Sequence, residues 1–192
     1  YEWQKDAPKL HYSDHNLGNM HTKFLINKYG INSEVSKTHR ELFFDIEIEM
    51  GGALTPEYIK KAPKPVTSIA WWDKQVDEWA IIIVDKTGEI KAGNQNGREI
   101  IPVKRERDLL EIFLSRIEAI RPDILVGYNS DYFDIPYLYY RISRVLGEDF
   151  ANALSPIDVV KDESAWNRNG WLNIAGVESL DYMKLHKKFS FR

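Results

Sequence analysis

Glu41-Leu42-Phe43-Phe44-Asp45-Ile46-Glu47-Ile48-Glu49-Met50 is the stretch that decides the fold. Leu42, Phe44, Ile46, Ile48 and Met50 alternate with Phe43, Asp45, Glu47 and Glu49. A period of two predicts a β-strand over the whole stretch, apolar on one face and carrying three acids on the other. Phe43 on the acidic face, with the strand's length and hydrophobicity, predicts a central strand whose carboxylates see little water. Two carboxylates about 6 to 7 Å apart repel by roughly 2 to 3 kcal/mol at an effective dielectric near 20. A divalent cation is the simplest group to offset that. An isolated Asp-x-Glu is otherwise read as an ordinary solvated acidic face.

Outward from this strand, Gly51-Gly52 ends it, and a Lys/Pro-rich loop holding Lys60, Lys61, Pro63, Lys64 and Pro65 leads to a strand over 66–72. A turn over 73–77 and a strand over 78–84 complete an antiparallel three-strand meander. Leu109, Leu110, Phe113, Leu114, Ile117 and Ile120 recur at helical spacing until Pro122. Residues 123–127 are a short apolar run between breakers, read as a buried strand, and 128–131 as loop. Ile135, Leu138, Ile142 and Val145 mark a second helix, with Pro136 in its first turn, Gly147 past its end and Asp134 at or beside its N-terminus. The segment 148–180 is loop-rich with a strand near 174–180, and Asp181 caps a last helix ending near Lys188. Residues 1–40 are polar, hold His11, His15, His21 and His39, and sustain no period beyond an apolar patch at Phe24, Leu25 and Ile26; they are read as a lead-in to a domain over 41–192. This order predicts an α/β fold, a mixed sheet of an antiparallel meander plus parallel strands, flanked by helices.

The whole chain has 192 residues, 43% hydrophobic and 29% charged, the profile of one soluble domain with a small appendage. The absence of cysteine removes disulfide scaffolds, cysteine-ligated zinc, iron-sulfur clusters and thiol nucleophiles, and points to a reducing compartment. No apolar run approaches the roughly 18 residues of a membrane span, and the start Tyr-Glu-Trp-Gln-Lys lacks the order of a signal peptide. The expectation is a cytoplasmic protein with no membrane partner. A formal charge of −3 does not announce a nucleic-acid binder. It does not exclude one, because a carboxylate site that holds metal ions is itself acidic.

The second informative stretch, Tyr128-Asn129-Ser130-Asp131-Tyr132-Phe133-Asp134-Ile135-Pro136-Tyr137-Leu138, follows a predicted buried strand and opens a helix, where sites of open α/β sheets gather. Asp134 there is placed to join a cation held by Asp45 and Glu47. Each residue also has a structural reading: Asp134 or Asp131 as a helix cap, Asn129 as a turn residue, Phe133 as core. Lys60, Lys61 and Lys64, the pair Arg141 and Arg144, and His186, Lys187, Lys188 and Arg192 offer phosphate contacts, with solvated surface as the default. Trp71, Trp72, Trp79, Trp166 and Trp171 are read as packing.

At these residues the sequence resembles a known family. Phe-Asp-Ile-Glu (44–47) and Asn-x-x-x-Phe-Asp-Ile-Pro-Tyr (129–137) are similar to the first two motifs of the 3′-to-5′ proofreading exonuclease domain of B-family DNA polymerases. Leu180-Asp181-Tyr182 through Lys188-Phe189-Ser190 is similar to the segment that follows in phage-type members, so the resemblance runs over roughly 40–192. It implies an RNase H-like fold and a two-metal site using Mg²⁺ or Mn²⁺, with Asp45 bridging the ions, Glu47 completing one position and Asp134 serving the other. The ions would activate water against the terminal phosphodiester and stabilise the departing 3′-oxygen. The resemblance also implies that Asn129 places the terminal nucleotide and Phe133 contacts its base or sugar. Implied partners are a single-stranded DNA 3′ end and the remainder of a polymerase, in host cytoplasm if phage-encoded. Residues 1–40 would connect to an N-terminal region of that polymerase.

The family's third motif, Tyr-x-x-x-Asp, supplies a last carboxylate and a water-orienting tyrosine. No tyrosine of this sequence is followed by aspartate four residues on, and no histidine is either; Asp181 offers a substitute carboxylate, but its match in the family starts a helix, so capping is the expected role. The expectation is a site cut short before that motif, with weak or absent activity that extension past Arg192 restores. The Asp-Thr-Asp of a polymerase palm is also missing. Two alternatives stand beside this reading. One is a non-catalytic module that grips single-stranded DNA or a partner chain. The other is a free-standing nuclease with Asp158, Asp162 or Glu163 as the substitute acid.

Overall fold

The alternation at 41–50 folds as β1 (Glu41–Ile48), two residues shorter than its pattern. Its register against the next strand slips between Glu47 and Ile48, and Met50 beyond the slip is 92% exposed. The computed structural model describes Lys28, residues 39–163 and residues 172–190. The chain divides into units Tyr1–Thr38 and His39–Arg192, and all elements below belong to the second. Most of the expected lead-in, and Trp166 and Trp171, lie outside the described residues.

After β1 come α1 (Pro56–Lys61), β2 (Val66–Asp73), β3 (Glu78–Val84), β4 (Gly93–Gln95), β5 (Arg98–Val103) and α2 (Glu106–Ile120). There follow β6 (Ile124–Gly127), α3 (Asp134–Val145), α4 (Glu148–Asn152), β7 (Val160–Asp162), β8 (Leu172–Ile174), β9 (Glu178–Asp181) and α5 (Tyr182–Ser190). One seven-stranded sheet runs β4-β5-β3-β2-β1-β6-β9, and β7 and β8 form a separate pair. The meander β1-β2-β3 is antiparallel, whereas β6 joins β1 and β9 joins β6 in parallel, as the sequence predicts. Arg40 ties the start of β1 into both neighbours: its guanidinium reaches Asp73 at 2.5 Å and its backbone exchanges hydrogen bonds with Asp123 and Ile124.

Three parts of the sheet and its connections differ from the sequence reading. The sheet continues past the meander, because β5 pairs in parallel with β3 and antiparallel with β4. The hairpin turns on Asn96 and Gly97, at φ 54 and 79, the left-handed pair that a tight two-residue turn requires. The presumed loop over 60–65 contains the end of α1, which begins with Thr55 accepting the Tyr58 N–H and with Pro56 in its first turn. The third difference concerns the tryptophans. Trp71 packs edge-on against Phe113 in the core, but Trp72 and Trp79 lie on the opposite face, and Trp79 is 44% exposed.

One face of the sheet carries Leu42, Phe44 and Ile46 of β1, Ile69 and Trp71 of β2, and Leu125 of β6, all buried. These pack with Leu109, Leu110, Phe113 and Ile117 of α2 and with Ile135, Leu138 and Ile142 of α3. Each such side chain contributes about 1.5–3 kcal/mol by leaving water. The other face is where the expectation of shielded carboxylates fails. Asp45 and Glu47 are exposed although β1 is central in the hydrogen-bonding direction of the sheet. A sheet with antiparallel strands tolerates one wetted face.

Candidate active site

The parallel pairing of β1 with β6 stops at Phe43 and Val126, so β6 parts from β1 while β1 runs on and Gly127 still pairs with Asp181 of β9. Gly127 makes that departure possible: a Cβ there would sit 2.6 Å from Ser130 Cβ and 3.3 Å from the Phe44 carbonyl oxygen. Asn129 then takes a left-handed conformation, φ 61, and its carbonyl accepts the Tyr132 and Phe133 N–H groups at 3.1 Å each. The turn delivers Asp134 as the first residue of α3.

Neither Asp131 nor Asp134 caps that helix; Phe133 occupies the cap position without a side-chain bond. Asp134 instead points back to the strand, where its Oδ1 accepts the Ile46 N–H at 3.2 Å. That N–H lies beyond the end of the β6 pairing, so the carboxylate satisfies a group left without a strand partner on that side. Asp134 is only 3% exposed, and burial pushes its pKa up to about 7. The Ile46 N–H works against the rise, while the negative charges of Asp45 and Asp181 add to it. Asp45 and Asp134, separated by 89 positions in sequence, thus act on one another across the end of β1.

The remaining predicted residues fall into place unevenly. Glu47 is exposed on the same face of β1 as Asp45, and the strand's register slips just after it. Phe133 is half-buried, its ring 5.5 Å from that of Tyr137 at the margin of the core, and Asn129 is half-buried in its turn. Asp131 is engaged by Ser179 Oγ and Lys184 Nζ. Asp162 pairs with Lys60 at 3.1 Å and accepts from Tyr140 at 2.8 Å, Glu163 accepts from Asn173, and Asp158 sits in a left-handed turn after α4. Arg141 is not a phosphate ligand in waiting: it forms a bidentate pair with Glu106, 2.7 Å on both arms, and also donates to the Ala62 carbonyl. Arg144 donates to the Lys61 carbonyl, while Lys61, Lys187 and Lys188 are exposed.

Two features escape the sequence reading. A groove of about 690 Å³ runs from Asp45 along the open face, lined among others by Phe43, Trp72, Trp79, Arg98, Tyr128 and Tyr182. Within it Trp72 and Trp79 stack at 4.9 Å and 10°, with Phe43 4.9 Å from Trp72. Phe43, Trp72 and Trp79 sit at alternate positions opposite the apolar faces of their strands, a signal that was available. The other feature is a second partner of Asp181: it caps α5 as expected, accepting the Met183 N–H at 2.9 Å, but it also accepts the Asn129 N–H at 2.9 Å. Only the parallel pairing of β9 with β6 brings those residues together.

Compared with known proteins, residues 14–191 match the exonuclease domain of DNA polymerase family B. The chain belongs to that exonuclease-domain family. The match begins inside the segment 1–40. The chain is 32% identical over 190 residues to the DNA-directed DNA polymerase of Escherichia phage RB69, covering 83% of this chain and 20% of that protein. It is 34% identical over 125 residues to the Enterobacteria phage T4 polymerase, covering 60% of this chain and 14% of that one. A DNA polymerase delta catalytic subunit from Dictyostelium discoideum is 31% identical over 113 residues, 59% of this chain and 10% of the relative. The chain thus spans a fifth or less of these relatives. The seven-stranded mixed sheet with flanking helices is consistent with the RNase H-like fold of this exonuclease family. Among the described residues, no helix is long and apolar enough to cross a membrane.

Proposed function

We propose that this exonuclease domain hydrolyses the 3′-terminal phosphodiester of single-stranded DNA in the 3′-to-5′ direction, as the editing portion of a larger polymerase. Asp45, Glu47 and Asp134 are its carboxylates, and Asn129 and Phe133 meet the terminal nucleotide. The observation that carries this reading is the buried Asp134 carboxyl, held at the end of β1 by the Ile46 N–H with its pKa lifted to about 7 partly by Asp45. Two acids that repel one another at a strand end are a suitable half-site for a hard divalent cation.

The donor chemistry fits Mg²⁺ or Mn²⁺, which carboxylate oxygens prefer. Convergence is incomplete, because no group of three acids or histidines among the described residues is close enough to hold an ion. Asp45 and Asp134 are therefore assigned as the residues this chain contributes first, with Glu47 beside Asp45 on the same strand face and the set still one carboxylate short. When bound, the metal supplies water activation and charge neutralisation at the phosphodiester. The chain's own residues keep Asp134 dry, hold it by a backbone donor and present Asp45 to solvent where DNA enters. DNA and the remainder of the polymerase are the proposed partners, residues 1–40 the proposed connection to it, and the cytoplasm the proposed location.

The incomplete carboxylate set also favours a second reading, a module that grips a single strand without cleaving it. The deciding experiment is degradation of a 5′-labelled single-stranded oligonucleotide in Mg²⁺ and in Mn²⁺, with Asp45→Ala alongside. Stepwise 3′ shortening that the variant loses supports the exonuclease. Binding without shortening, unchanged or improved in Asp45→Ala, supports the module.

A further inference from the structure

Asp181 is more deeply buried than a helix cap needs to be. Cap side chains commonly sit at the surface, where water completes the bonds the protein leaves open. Asp181 is 3% exposed, and its Oδ2 is inaccessible and without a hydrogen bond among the described residues. Its Oδ1 accepts two backbone donors: Met183 N–H, the cap of α5, and Asn129 N–H, in the turn before Asp134. The Asn129 carbonyl in turn accepts from Tyr132 and Phe133. A continuous set of hydrogen bonds therefore runs from the Asp181 side chain at the end of β9 through the left-handed turn to the residue that precedes Asp134. Lys184 of α5 and Ser179 of β9 hold Asp131 in the middle of the same loop. Two N–H groups from separate segments thus share one carboxylate oxygen, beside a turn that carries a non-glycine residue at positive φ.

We propose that Asp181 is a positioning residue of the editing site, locking the Asn129 turn so that Asn129 and Phe133 stand ready for the terminal nucleotide. The inference rests on the exonuclease reading for its substrate and on hydrogen-bond geometry for its mechanism. It makes Asp181 act through Asn129, not as a ligand or base.

Two substitutions separate the possible roles. Asp181→Asn retains an acceptor for both N–H groups. Asp181→Ser retains a cap for Met183, but its shorter side chain cannot also reach Asn129, and it should fold because the α5 cap survives. The readouts are amide hydrogen exchange over 128–133 and over 182–185, and KM against kcat for removal of the 3′ nucleotide from a single-stranded oligonucleotide. Where turnover is absent, the Kd for that oligonucleotide in Ca²⁺ replaces them. Asp181→Ser is expected to accelerate exchange over 128–133 at least tenfold, leave 182–185 nearly unchanged, and raise KM or Kd about tenfold with a smaller change in kcat. Asp181→Asn is expected to stay within about threefold of the parent in each. Unchanged exchange over 128–133 in Asp181→Ser would reduce Asp181 to a cap and overturn the proposal. So would faster exchange with no change in KM or Kd, or Asp181→Asn as damaged as Asp181→Ser, which would make the charge itself the requirement. A parent chain that neither shortens the oligonucleotide nor binds it overturns the exonuclease reading and the substrate role together. The exchange data would still decide whether Asp181 holds the turn.

Discussion

The two faces of β1 are made by the same strand and meet opposite environments. Leu42, Phe44 and Ile46 are at most 6% exposed beneath α2 and α3, whereas Asp45 and Glu47, one residue away in each direction along the chain, face solvent. The buried face is held by many apolar contacts from two helices. The open face is held by the strand's own hydrogen bonds and a short run of stacked rings. Stability is therefore concentrated on the side away from Asp45 and Glu47, and the proposed chemistry involves a face that the core does not need.

The strongest attempt to break this comparison substitutes one aromatic on each face. Phe44→Ala is expected to lose about 3–5 kcal/mol of unfolding free energy in urea, and Trp79→Ala, half out of water and stacked on Trp72, roughly 1–2 kcal/mol. Equal losses would mean that the open face is as fully packed as the other.

Asp134 bridges the two faces, and its protonation sharpens the contrast. Its folded pKa, about 7, lies above the ordinary carboxylate value, so the folded state binds a proton that the unfolded state has released. Stability should then fall as pH rises from about 4 to about 7 and stay low above that. Asp134→Asn keeps the acceptor for the Ile46 N–H and removes the charge. Its melting temperature should exceed that of the parent at pH 8, by an amount equivalent to at most about 4 kcal/mol, with the difference vanishing below pH 4. A constant difference across that range would rule out the titration of Asp134 as its source.

The smallest expected effect tests the exposed partner. Asp45→Asn should change stability at pH 8 by less than about 1 kcal/mol, as solvated surface charges do. It should nonetheless lower the pKa of Asp134 in a carboxyl NMR titration, because one of the charges that raise it is gone. An unmoved Asp134 would show that the two carboxylates do not sense one another.

Much of this arrangement is legible in local sequence patterns. The alternation of β1, the short apolar run of β6 and the helical spacing after Asp134 each carry a local period, and each element formed close to where its pattern lay. Thr55-Pro56 and Asn96-Gly97 are equally local signals, for α1 and for the β4–β5 turn, but both lie inside polar stretches with no apolar period to frame them. What no local pattern carries is which acid meets which partner. Asp131 and Asp134 sit three residues apart in the same motif, yet Lys184 and Ser179 claim the first and Ile46 the second. The exposure of Asp45 escapes the pattern for a related reason: alternation tells which residues share a face, while coverage depends on what distant segments pack there.

The strand order also decides how this molecule can meet another. β4, the last strand on one side among the described residues, is three residues long, and Gly93, Asn94 and Gln95 are all exposed. So short a rim offers a neighbouring chain few free amides and carbonyls on which to zip, the usual route by which sheets aggregate. Self-association by sheet extension is therefore disfavoured at that border, and contacts made by this molecule there are left to side chains.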